Sequence, residues 1–193
     1  MSTQQEKELV QQLQNGSLEA LGQLYDRYQR LVYRTALAIT CNPEAAADLL
    51  QDVFLRLYRY ASHFDIDRPL EPWLYRMTTN LSYNWVKNNR RWLHPLEELV
   101  DRIVSLGPRS PLVELEQKDE WALVQKALTS LPLQQRVVVV LFYLNELSLK
   151  EISGILDIPV GTVKSRLHYG RLALKRKLAL DGEGSFDFIY EKP

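Results

Sequence analysis

The chain is poor in the groups that most catalytic chemistry needs. It has one cysteine, Cys41, and three histidines, His63, His94 and His168, spread through 193 residues. A single thiol excludes an intrachain disulfide and suits a reducing compartment. The scattered histidines and lone cysteine make no metal-ligand spacing, and there is neither a phosphate-binding loop nor a nucleophile elbow. No cofactor, metal or small-molecule substrate is expected, and an enzyme is the weakest function class. There is no signal peptide and no apolar run long enough to span a bilayer, so the expectation is a cytoplasmic protein without membrane insertion. No segment alternates convincingly with period two, which argues against strands. Finally, no acidic residue lies between Asp157 and Asp181.

That acid-free stretch carries the strongest positive signal. Val163, Leu167, Gly170, Leu174 and Leu178 recur at three- and four-residue steps, one apolar face of a helix, while Lys164, Arg166, Arg171, Lys175, Arg176 and Lys177 occupy the others. Before it, Ser148-Leu149-Lys150-Glu151 is a capping box that starts a helix burying Ile152 and Ile155, and Asp157-Ile158-Pro159 ends that helix. Two helices about a tight turn, the second basic, form the pattern of a helix-turn-helix DNA reader. A packed helix pair with a solvated basic face has the same spacing; the one-signed charge favours a polyanion.

The rest of the chain reads as helical. Thr3-Gln4-Gln5-Glu6 caps a short helix that stops at Asn15-Gly16, and a second helix after Ser17 buries Leu21, Leu24, Tyr28, Leu31, Thr35 and Ile39. Asn42-Pro43 starts a third, with Ala46, Leu49, Leu50, Val53, Leu57 and Tyr60 inward. Ala61 to Pro69 reads as a loop. A fourth helix runs from about Pro72 to Arg91 and buries Trp73, Leu74, Met77, Leu81 and Trp85. The β-branched run Val137–Phe142 is read as buried helix. The formal net charge is zero, but Glu97 to Glu120 is acidic and punctuated by prolines, so the fold class is all-α, two helical domains joined by a flexible linker. The boundaries are 1–92, a linker at 93–110, a helix-turn-helix domain at 111–180 and a tail at 181–193.

Two further constellations lie in the first domain. Asp48, Gln51 and Asp52 share a helix face that could dock a basic partner, though a solvated face is the simpler physical reading. Arg76, Asn80, Asn84, Lys87 and Arg91 share a face of amides and cations, the side chains that reach base edges and phosphates. Trp73 and Trp85 are assigned to the core rather than to stacking.

In order, Asp48-Leu49-x-Gln51-Asp52-Val53-Phe54, Trp73-Leu74-Tyr75-Arg76-Met77-x-x-Asn80-Leu81, and Pro159-Val160-Gly161-Thr162-Val163-Lys164-Ser165-Arg166-Leu167 resemble an extracytoplasmic-function (group IV) sigma factor of bacterial RNA polymerase. The resemblance covers about Ser17 to Leu180. It implies that Asp48, Leu49, Gln51, Asp52 and Phe54 bind core RNA polymerase. It assigns the minus-ten promoter element, read on opened DNA with a flipped base, to the loop from His63 and Phe64 to Leu70 and to Arg76, Asn80, Asn84, Lys87 and Arg91. The minus-thirty-five element falls to Thr162, Lys164, Ser165, Arg166, His168, Arg171 and Lys175. Core polymerase, promoter DNA and an anti-sigma protein are the implied partners. The competing reading is a helix-turn-helix regulator independent of polymerase, which leaves the Asp48 face idle.

Overall fold

The computed structural model describes residues 4–89 and 118–180, all helices and connecting turns with no strand among them. The expected linker at 93–110, the tail at 181–193, Thr3 and Arg91 lie outside the described residues.

Local sequence explains most of the boundaries. Helix α1 (Gln4–Gln14) ends at Gly16, whose φ of 87° lies in the left-handed region that glycine enters without steric cost. Helix α2 (Leu18–Thr40) is capped by Ser17, whose hydroxyl accepts from the Ala20 N–H at 3.2 Å. Helix α3 (Pro43–Tyr60) begins with proline, and the Asn42 side chain accepts from the Ala45 N–H at 2.8 Å. A 3-10 turn (Ala61–His63) and a short loop lead to α4 (Leu70–Asn88). The second unit comprises α5 (Lys118–Thr129), α6 (Leu133–Val139), which runs into a π-helical turn (Val140–Leu144), α7 (Leu149–Leu156) and α8 (Val160–Leu180). The capping box at Ser148 and Glu151 is present, and Asp157, at φ 54°, terminates α7. The Val137–Leu141 run is buried helix, as its context predicts; the π turn left no sequence signal.

Several expected core positions lie further out than their spacing suggests. Tyr60, placed on the inner stripe of α3, is 46% exposed, because the helix ends there and the chain turns away. On α4, Leu74 is fully buried while Trp73, Met77, Leu81 and Trp85 are only partly so. The reason is that α4 has a second buried face, Tyr75, Thr79, Ser82 and Val86, turned to the C-terminal unit.

The two units share a core. Leu24, Val53, Leu57, Leu70 and Leu74 centre the first, and Leu131, Val138, Leu141, Ile152, Val163 and Leu167 the second, which extends to Ala38, Ile39, Tyr75 and Val86. Polar staples cross between them. Arg136, 97% buried, donates from Nη1 to the Ile39 carbonyl at 2.8 Å and from Nη2 to Thr129 at 3.0 Å. Asn145 Nδ2 donates to Thr35 Oγ1 at 2.9 Å. Arg136 Nε and Asn145 Oδ1 at this interface, and the hydroxyls of Thr78, Thr79 and Ser82 on α4, are buried without a partner. Each such group costs about 1–3 kcal/mol, so this junction is weaker than its apolar content suggests.

Candidate nucleic-acid interface

The α3 constellation splits by burial. Asp48, Gln51 and Asp52 are exposed, whereas Leu49 and Phe54 are 6% and 4% exposed. Leu49 packs with Ala36 and Ala46, and the Phe54 ring meets Tyr25 edge-on at 4.9 Å. These two residues hold α3 in the core, so of the five expected docking residues only Asp48, Gln51 and Asp52 lie on the surface. The pattern concealed Leu55, 63% exposed, which at about 100° per residue falls between Gln51 and Asp52 on the outward face. Tyr58, 41% exposed, flanks it. An apolar residue amid carboxylates on solvent was the available signal.

On α4, Arg76, Asn80, Asn84 and Lys87 are all exposed. Arg76 Nη2 lies 3.9 Å from Asp157 Oδ2 across the two units, a long contact between exposed groups and therefore weak. His63 is exposed, and half-buried Phe64 meets Trp73 edge-on at 6.4 Å. A cleft of about 760 Å³ separates the units here, with His63, Phe64, Trp73 and Arg76 on one side and Glu151 and Ile155 on the other.

The loop before α4 is held from below by α1, which the motif reading did not involve. Gln14 Nε2 donates to the carbonyls of Ala61 at 3.1 Å and Phe64 at 2.8 Å. Lys7 Nζ pairs with Asp67 at 2.7 Å, and this hydrogen-bonded ammonium holds the Asp67 carboxyl below the usual carboxylate range. Buried Glu6 accepts from the Leu70 N–H at 3.3 Å, capping an α4 that has no local side-chain cap, and also accepts from the Tyr28 hydroxyl. Burial, reinforced by Glu6, pushes the Tyr28 hydroxyl well above its ordinary range and keeps it a donor.

In α8 the inward stripe is Val163, Leu167, Gly170 and Leu174. At about 100° per residue, Lys164, His168, Arg171 and Lys175 gather on one flank, Ser165, Leu172 and Arg176 oppose the core, and Arg166, Ala173 and Lys177 fall on the other flank. Lys164 and Arg166, paired by the sequence reading, therefore point apart. Lys164, Ser165, His168 and Lys175 are exposed; Thr162, Arg166 and Arg171 are partly buried. A Cβ on Gly170 would come 2.7 Å from Val139 Cγ2, so α6 and α8 touch where only glycine fits.

Comparison with known proteins gives the family and the fold. Family models for sigma-70 region 2 and sigma-70 region 4 match residues 24–92 and 121–174. The chain is 35% identical over 182 residues to the ECF RNA polymerase sigma factor SigW of Bacillus subtilis, covering 89% of this chain and 96% of that protein. It is 33% identical over 181 residues to the ECF RNA polymerase sigma-E factor of Escherichia coli K12, covering 88% and 92%. Among solved structures, CnrH in complex with the cytosolic domain of CnrY superposes with a TM-score of 0.68 at 24% identity, over 93% of this chain and 99% of CnrH. RpoE of Bartonella quintana in complex with the anti-sigma factor NepR gives 0.64 at 22%, over 85% and 99%. At these identities the structural likeness is one of fold.

Proposed function

Because the chain belongs to the extracytoplasmic-function sigma factors of RNA polymerase, we propose that its three exposed faces divide the work of promoter selection. Asp48, Gln51, Asp52 and Leu55 on α3 dock core polymerase. His63, Phe64, Arg76, Asn80, Asn84, Lys87 and Arg91 read the opened minus-ten element. Lys164, Ser165, His168, Arg171 and Lys175 on α8 enter the major groove or grip phosphates at the minus-thirty-five element, with Thr162 and Arg166 at its edges. Residues 1–92 form the first functional unit, 111–180 the second, 93–110 the connection and 181–193 a tail. The chain recruits and positions, and leaves the chemistry to polymerase in the cytoplasm. No described helix is long and apolar enough to cross a membrane.

The observation that carries this reading is the division of α8 into an apolar stripe and an acid-free basic surface, on a chain that also presents the α3 and α4 faces. A regulator independent of polymerase accounts for α8 alone.

The closed packing adds a step. Asp157 touches Arg76 and stands seven residues before Lys164, so the minus-ten and minus-thirty-five surfaces lie within about 30 Å of each other along the chain. Promoter elements some 25 base pairs apart are separated by roughly 85 Å of straight duplex at 3.4 Å per pair. The units must part before both elements are read, and the unpaired polar groups at their junction lower the cost of parting. An anti-sigma protein, such as the NepR bound to the Bartonella RpoE, would restrain activity by holding this chain shut.

Size-exclusion chromatography of the purified protein with core RNA polymerase tests the assignment. Stoichiometric co-elution is expected, and Asp52→Ala with Gln51→Ala should weaken it without loss of cooperative folding. A folded, inhibitor-free protein that never co-elutes would return the chain to the stand-alone regulator.

A further inference from the structure

Helix α1 lies outside the region 2 match, which begins at residue 24, and none of the promoter-reading roles reaches it. Yet three of its side chains make four polar contacts with the ten residues from Ala61 to Leu70. Each side chain meets a different part of that segment. Gln14 satisfies two carbonyls at its start, Lys7 pairs with Asp67 near its middle, and Glu6 caps the helix at its end.

The segment has little structure of its own to hold it. The 3-10 turn is closed by Phe64 N to the Ala61 carbonyl; beyond it the local contacts are Arg68 N to the Asp65 carbonyl, Asp67 N to Asp65 Oδ1, an exposed Ser62–His63 side-chain hydrogen bond and an exposed Arg68–Asp65 ion pair. Its apolar anchors are Ala61 at one end, Leu70 at the other, and partly buried Phe64 and Ile66 between. Without an external clamp, placing such a loop against an extruded base would require ordering several residues at the moment of capture, at an entropic cost that subtracts from binding.

We propose that α1 is a brace that pre-orders the Ala61–Pro69 loop for capture of an unpaired minus-ten base, with Gln14 as its principal positioning residue. Gln14 suits the role because it is partly exposed and donates both bonds through one amide. It touches no DNA itself; it fixes the loop backbone that carries His63 and Phe64. The inference rests on the minus-ten assignment made above.

The test compares holoenzymes assembled from wild type, Gln14→Met and Asn80→Ala. Methionine keeps the length and volume of glutamine but cannot donate, so packing is retained while the hydrogen bonds are lost. The probes are a fork-junction DNA with its minus-ten segment single-stranded, selected from a random pool by the wild-type holoenzyme, and a duplex carrying the minus-thirty-five element alone. Gln14→Met should bind the fork about tenfold more weakly, the equivalent of one to two hydrogen bonds. Its core affinity and minus-thirty-five affinity should match wild type, and its unfolding should stay cooperative with at most a small drop in midpoint. Gln14→Glu, which points a carboxylate at the two carbonyls, should be weaker still. Wild-type fork affinity in Gln14→Met, alongside a loss in Asn80→Ala, overturns the brace and leaves the minus-ten reading standing. Equal loss on both DNA probes reduces Gln14 to a purely structural role and also overturns the proposal. Unchanged fork binding in both variants overturns the brace together with the minus-ten assignment on which it rests.

Discussion

Arg136 on α6 donates to the Ile39 carbonyl of α2 at 2.8 Å, joining residues 97 apart in sequence. The acceptor is at the C-terminal end of α2, where the last carbonyls have no helical partner, so a buried guanidinium there completes a helix end in the other unit. Burial lowers the pKa of this guanidinium, the expected direction for a cation removed from water.

Replacing Arg136 with Met should therefore destabilise the closed form. The carbonyls of Ile39, Thr129 and Leu131 lose their donor, and each buried unpaired acceptor costs about 1–3 kcal/mol. We expect a loss of about 2–4 kcal/mol in denaturant unfolding and a larger radius of gyration by solution scattering. An unaltered scattering profile would show that Arg136 secures α6 without governing how the units pack.

Cys41 reports on the same junction. Its Sγ lies 3.8 Å from Arg136 Nη1, and it donates weakly to the carbonyls of Ala38 at 3.6 Å and Gln125 at 3.9 Å. Burial pushes the thiol up to about 11, more than Arg136 pulls it down, so at neutral pH the reactive thiolate is scarce. Alkylation of the free protein should be slow, rise with pH only in the alkaline range, and accelerate when core polymerase parts the units. A rate that core leaves unchanged would contradict the opening step.

Gly170 and Gly22 make a controlled pair. A methyl on Gly170 collides with Val139, whose branched side chain has little freedom, so Gly170→Ala should cost about 1–3 kcal/mol and tilt α8. Nothing lies within 4 Å of the Cβ position at Gly22, an exposed position inside α2, so Gly22→Ala should stabilise by about 0.5–1 kcal/mol. Thermal unfolding of the two variants should move in opposite directions.

The flanks of α8 separate Lys164 from Arg166. Lys164→Ala should weaken promoter use by about 1–3 kcal/mol if it reaches a base, and Lys175→Ala should lower the salt slope by about one. Arg166→Ala should cost less than about 1 kcal/mol, since its side chain is partly buried on the far flank. Promoter titrations over a range of salt would rank them, and equal losses for Lys164 and Arg166 would refute the flank assignment.

Much of this protein is legible one helix at a time. Ser17, Asn42-Pro43 and the Ser148–Glu151 box set helix starts because a cap needs only a few consecutive residues. The spacing of Val163, Leu167, Gly170 and Leu174 marks the face of α8 turned to the core, and the absence of acid opposite them marks the partner as a polyanion. Order along the chain supplied the family, since three motifs in sequence are far more specific than any one.

What the linear pattern could not resolve depends on contacts between distant segments. Leu49 and Phe54 sit within a motif that carries the family resemblance, yet packing against Ala36 and Tyr25 turns them inward, while Leu55 is left in solvent. The second buried face of α4 shows no apolar periodicity, because Thr79 and Ser82 are buried there by tertiary packing and not by their own hydrophobicity. Glu6, Gln14 and Arg136 look like ordinary surface residues until the chain brings Leu70, Phe64 and Ile39 beside them. Periodicity, caps and charge are local and so determined the helices and their chemistry. Which polar side chains brace or staple the fold was decided only when the chain closed, because a hydrogen bond between segments dozens of residues apart has no period to betray it.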